Sequence, residues 1–114
     1  MPVSDVRITT TVARVLRQFL DDPAAPRYGF DLMRATGLAS GTLYVILTRL
    51  QQAGWLTSAQ EEIDPAAAGR PARRLYRLSP DGAASARVEL ASLSEQLRPP
   101  ARMDLRPRLQ GGQR

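Results

Sequence analysis

The chain contains no cysteine, no histidine and no lysine. Without cysteine there is no disulfide framework and no thiolate metal site. Without histidine as well, most zinc chemistry is excluded, together with the Ser-His and Cys-His nucleophile pairs and the usual general base. No catalytic residue, metal ligand or cofactor follows from the sequence, and an enzyme is not expected. Aromatic residues are few, with one Trp, three Tyr and two Phe, which leaves little for the base stacking that RNA recognition uses. No apolar run approaches the ~18 residues that span a bilayer. The opening Met1-Pro2-Val3-Ser4-Asp5 lacks the basic-then-apolar layout of a secretory signal. The expectation is a cytoplasmic protein without a membrane partner, and its 114 residues are the length of one domain.

What the chain has in excess is arginine. All 16 basic residues are Arg against 11 acids, a net charge of +5. Codon usage in a GC-rich genome accounts for such a set as well as a polyanionic partner does, so position matters more than number. Residues 1–63 hold six Arg and six Asp or Glu, whereas residues 64–114 hold ten Arg against five acids and so carry the whole excess. A localised basic half points to a polyanion, and the guanidinium fork suits phosphate and guanine.

Read along the chain, residues 1–7 form a loose arm. Ile8, Val12, Val15, Leu16, Phe19 and Leu20 share one helical face, with Thr9 as a cap and Asp21-Asp22-Pro23 as the stop. Residues 23–27 read as a loop, and Tyr28 to Gly37 as a short second helix with Gly37 at its C-terminal end. After the turn Leu38-Ala39, a third helix runs from Ser40, read as its N-cap, to Ala53, with Gly54 as its stop. Leu43, Ile46, Leu47 and Leu50 share one face of it; Gly41, Tyr44, Val45, Thr48 and Gln52 lie opposite, with Arg49 at the flank. A short helix, a tight turn and a second amphipathic helix make a helix-turn-helix pattern. Residues 55–63 and Leu75 to Leu78 then read as two strands. The loop between them, 64–74, carries Arg70, Arg73 and Arg74 among Gly and Pro, as a DNA-contacting wing requires. Ser79-Pro80-Asp81 opens a last helix. Its stripe Ala83, Ala86, Leu90, Leu93, Leu97 resembles the seam of a helix pair. Residues 99–114 are rich in Pro, Arg, Gly and Gln and read as a disordered basic tail. The fold class is thus mainly α with a small β hairpin: a winged helix-turn-helix over 8–79 followed by a C-terminal dimerisation helix over 80–98.

Four stretches resemble the PadR family of bacterial transcriptional regulators: Tyr28-Gly29-Phe30-Asp31-Leu32; Gly37 to Tyr44; Leu47-Thr48-Arg49-Leu50 through Ala53-Gly54-Trp55-Leu56; and Gly69 to Gly82. The resemblance covers roughly residues 8–97. It implies a homodimer that binds double-stranded DNA at an inverted-repeat operator, usually as a repressor, with a small-molecule effector as a further partner. It also implies a single C-terminal helix that packs on the partner subunit. Two departures matter. The family's Ser-Gly-Thr-Leu-Tyr-Pro ends here in Val45. The only Trp, Trp55, lies outside the C-terminal helix, so the planar-ligand site some short members build there does not carry over.

The expected DNA-binding residues are Ser40, Thr42, Tyr44, Val45, Thr48 and Arg49 on the third helix and Arg70, Arg73 and Arg74 on the wing. The competing reading of each group is a solvated helix face or a solvated Arg-rich loop. Leu90, Leu93 and Leu97 are expected at a dimer interface, with an intrachain core stripe as the alternative; Ala84, Val88 and Ala91 offer a second apolar face for packing on both sides. Glu61, Glu62 and Asp64 read as local charge balance beside the wing rather than as a metal or acid site. As a whole-chain alternative, a winged-helix protein-interaction module without DNA binding would carry a neutral or acidic wing.

Overall fold

The computed structural model describes residues 5–100. Helix α1 spans Thr10–Leu20. Its N-cap is Thr9, whose hydroxyl accepts from the Val12 amide at 3.2 Å. Strand β1 is the two-residue Arg27–Tyr28, α2 is Gly29–Thr36 and α3 is Ser40–Gln52. Strand β2 is Leu56–Gln60, α4 the single turn Pro65–Ala68, β3 Arg74–Leu78 and α5 Pro80–Leu97. The strands form one antiparallel sheet in the order β1-β3-β2, with Ser58 opposite Tyr76 and Tyr28 opposite Leu75.

The apolar spacing in the sequence sets the core. Val15, Leu16 and Phe19 from α1, Leu43, Leu47 and Leu50 from α3, and Leu32 from α2 are all but fully enclosed. Trp55 and Leu56 close one side of this cluster, and Tyr76 and Leu78 project into it from alternate positions of β3. Two arginines satisfy carbonyls at helix C-termini, where the backbone lacks partners. Arg27 donates to Gln18 O at 3.0 Å and Arg14 to Thr36 O at 3.3 Å. Arg77 likewise ties β3 to the loop at Ala24 O, 2.9 Å away.

Three features depart from the expectations. The loop 23–27 and the start of the second helix yield a strand instead, since Arg27 and Tyr28 pair with Tyr76 and Leu75 and thereby satisfy backbone groups on the outer side of β3. Ser40 is not the N-cap of α3. Ala39 takes the extended capping conformation and makes no side-chain cap bond, so Ser40 is the first helical residue. Finally, the wing loop contains α4, capped by Asp64 through the Ala66 amide at 3.1 Å and closed by Gly69 in the left-handed region. The expected tail 99–114 lies outside the described residues from position 101 onward, as do residues 1–4 of the expected arm.

Helix α5 starts as its sequence requires. Ser79 accepts from the Gly82 amide at 2.9 Å and donates to Gly54 O at 2.7 Å, so one hydroxyl caps the helix and ties it to the end of α3. Gly82 is buried where a Cβ would collide with the Trp55 backbone. This contact, with Ala83 and Ala86, anchors the first half of α5. The second half is increasingly exposed: Leu90 and Leu93 are half-buried and Leu97 is 63% exposed.

Candidate nucleic-acid interface

The site begins with the part of α3 that the core leaves uncovered. At 100° per residue, burial of Leu43, Ile46, Leu47 and Leu50 turns Ser40, Gly41, Thr42, Tyr44, Val45, Thr48 and Arg49 outward. All are exposed. Val45, an unpaired apolar side chain, is 52% exposed at the middle of this face. The two margins of the face have different neighbours. Thr42, Val45 and Arg49 line a cleft of about 420 Å³ whose other wall is the segment leading into α1, with Arg7 and Thr9. On the opposite margin Tyr44 lies across the start of α2, so closely that a Cβ at Gly29 would collide with its hydroxyl. Tyr44 also neighbours Tyr76, whose phenol is raised above its usual pKa chiefly by burial and further by this second phenol. Tyr44 therefore serves packing as well as surface, which its position on the outer face did not reveal.

Beyond Tyr44 lies the sheet, and with it the wing. Arg73 stacks over the Tyr28 ring at 5.6 Å from its centroid. Arg74 donates to Ser58 Oγ at 3.1 Å. Arg73 and Arg74 are consecutive in an extended segment, so they leave the hairpin on opposite faces. Arg74 shares its face with Tyr76, the side toward α3; Arg73 shares the other with Tyr28. Both are exposed and neither forms an ion pair among the described residues.

Arg70 stands differently. Its two terminal nitrogens hold Glu61 in a bidentate pair at 2.7 and 3.1 Å. Glu61 also accepts from the Arg73 amide at 3.2 Å. The Arg70 hydrogen bonds, aided by that amide and by the charges of Arg70 and Arg73, hold the Glu61 carboxyl at a pKa of about 2. Arg70 is raised in turn, chiefly by the same hydrogen bonds. The pair closes the wing loop on itself. Of the three acids beside the wing, Glu61 is thus an internal brace and Asp64 a helix cap. No group of three or more metal-ligating side chains occurs among the described residues.

Elsewhere α1 and α5 border a cleft of about 580 Å³ lined by Ala13, Arg14, Arg17, Leu90, Leu93 and Leu97, among others. It brings together the three leucines expected at a dimer interface. Val88, on the second apolar face of α5, is 66% exposed, and Ala84 and Ala91 are exposed beside it.

A helix-turn-helix with an open outer face, followed by an arginine-bearing hairpin, is the arrangement of a winged-helix DNA reader. The family model of PadR-like transcriptional regulators matches residues 19–88, from the end of α1 well into α5. The chain belongs to the PadR-like family. Its fold is a winged helix, and its family is one of transcriptional regulators. No curated protein matches the PadR-like chain in sequence. Solved structures share its fold. BpsR of Bordetella bronchiseptica, whose DNA binding is regulated by 6-hydroxynicotinic acid, is 22% identical with TM-score 0.64 over 92% of this chain and 68% of that one. ZitR of Lactococcus lactis, a zinc-responsive MarR family member, is 16% identical with TM-score 0.59 over 82% of this chain. A MarR family regulator of Silicibacter pomeroyi is 20% identical with TM-score 0.55 over 77% of this chain. The chain spans 59% of the ZitR chain and 56% of the Silicibacter one, and these likenesses are of fold. No described helix is long and apolar enough to cross a membrane.

Proposed function

We propose that this PadR-like regulator is a cytoplasmic homodimer that represses transcription by seating two copies of α3 in successive major grooves of an inverted-repeat operator. The observation that carries the reading is the open face of α3, uncovered from Ser40 to Arg49 and bordered by arginines that have no ion-pair partner among the described residues. Ser40, Thr42 and Tyr44 hydrogen-bond phosphates, aided by first-turn amides of α3 that no cap side chain occupies. Val45 and Thr48 meet thymine methyl groups, and Arg49 takes a phosphate or a guanine edge. Arg73 and Arg74 grip the backbone from the two faces of the wing, while Arg70 keeps the loop in shape and turns its remaining N–H groups to the same backbone. Val45 replaces a proline in the family's motif, so its methyl contact is specific to this chain.

A second copy of the chain packs along the α1–α5 cleft, covering Leu90, Leu93 and Leu97. Closed two-fold pairing then sets the two α3 helices about one DNA turn, ~34 Å, apart. An effector molecule enters the same cleft, between its leucines and the guanidinium groups of Arg14 and Arg17, and changes the spacing. The working division is an arm at 1–7, the winged domain at 8–79, the dimerisation helix at 80–98 and a basic tail at 99–114.

Selection of bound fragments from genomic DNA at a stated salt concentration tests this reading. The expected outcome is a shared inverted repeat, with reporter expression falling when the chain is supplied. Recovery of no sequence above background, or of single half-sites only, contradicts it.

A further inference from the structure

One cationic site joins the helix-turn-helix to the segment that precedes α1. Val6 packs against the core and fixes the backbone beside it. Arg7 is thereby held at the mouth of the cleft that Thr42, Val45 and Arg49 line from α3. Among the described residues the guanidinium group of neither Arg7 nor Arg49 makes a hydrogen bond or an ion pair. Asp5 shares a neighbouring recess of about 360 Å³ with both, yet pairs with neither. Most other arginines of the amino-terminal half are committed: Arg14 and Arg27 to helix-end carbonyls, Arg34 over the Phe30 ring at 5.9 Å. Two uncommitted guanidinium groups facing one open cleft form a site without an occupant of its own.

Its place on α3 says what fits. The 100° spacing puts Arg49 and Thr42 on the margin of the outer face away from Tyr44, whereas Tyr44, and past it Arg74, mark the other margin. A helix lying in the major groove, about 12 Å wide, has one phosphate backbone along each side. The wing and Tyr44 account for one of them. We infer that Arg7 and Arg49 form a phosphate clamp for the opposite strand, so that each protomer grips both walls of the groove that α3 enters. The residue added to the interface is Arg7, in a segment that sequence reading treats as a loose arm. The inference rests on the DNA-reading role of α3 proposed above.

The test is the salt dependence of binding to a duplex selected from genomic DNA, measured for the full chain and for Arg7→Ala, Arg7→Lys and Arg73→Ala. Each phosphate contact contributes about one to the slope of log K against log salt. Arg7→Ala should flatten the slope by about one per bound protomer and weaken binding about tenfold at fixed salt. Arg7→Lys should keep the slope and lose part of the affinity. An unchanged slope in Arg7→Ala, with a flattened slope in Arg73→Ala, overturns the clamp and leaves the reading of α3 standing. A wild-type chain with no salt-sensitive binding to any duplex overturns both. Phosphate-ethylation interference on the wild type gives an answer that does not depend on a variant's folding. Interference on both strands flanking each half-site is expected; interference on the wing side alone contradicts the clamp.

Discussion

Glu61 is the residue whose environment most departs from that of an ordinary surface acid. Two guanidinium hydrogen bonds and a backbone amide favour its ionised form and lower its pKa from 4.5 to about 2. Because the folded-state value is the depressed one, the pair contributes stability that is present above the unfolded value and is lost as pH falls toward 2. Carboxyl chemical shifts followed through an acid titration should give a Glu61 midpoint near 2, and Arg70→Ala should return it toward 4.5. Gly82 makes the second prediction at this scale. Alanine in a helix interior normally gains about 0.5–1 kcal/mol over glycine. Here the added Cβ runs into the Trp55 backbone, so Gly82→Ala should instead lose about 1–3 kcal/mol of unfolding free energy in denaturant titrations. An equal or raised midpoint would show that α5 can shift away from the 54–56 segment. That collision was not legible in the sequence. Gly82 follows Ser-Pro-Asp and reads only as part of a helix start, because the residue it touches is 27 positions away.

At the scale of elements, α1, α2, α3 and α5 were legible from their apolar spacing, whereas the single-turn α4 and the Ala39 cap of α3 were not. Thr9, Gly37 and Ser79 each act at the position their residue type favours. Strand β1 was not, since a two-residue strand has no periodicity and exists only through its pairing with β3. The same holds for the wing. Its arginines were legible as a cluster, but their division of labour depends on register: Glu61 meets the loop only because β2 and β3 pair as far as Gln60 and Arg74. This division yields a third prediction. Arg73→Ala and Arg74→Ala should each weaken duplex binding about tenfold at fixed salt while leaving the unfolding midpoint nearly unchanged, because both are exposed. Arg70→Ala should lower wing order, seen as faster amide exchange over residues 61–73, as well as affinity. If all three variants behave alike in both measurements, the brace and the grip are not separate.

The whole molecule is a small core with two uncovered surfaces, the outer face of α3 and the α1–α5 cleft. Leu97 and Val88, 63% and 66% exposed, contribute nothing to the core of a single chain. Leu97→Glu should therefore keep the helical signal and the cooperative unfolding of the domain while shifting sedimentation from dimer toward monomer, and an unchanged dimer would move the interface elsewhere. The leucine stripe was visible in the sequence, but whether it faced the chain's own core or a partner was not. Leu90 packs against the chain's own core, while Leu93 and Leu97 border the α1–α5 cleft beside it. The most direct measurement is sedimentation of the full chain with a duplex containing a selected inverted repeat, over a series of salt concentrations. Two chains should bind each duplex, with an affinity that falls steeply with salt and is lost when Thr48 and Arg49 are both replaced by Glu. A chain that stays monomeric and passes the duplex unbound at low salt would contradict the proposed function.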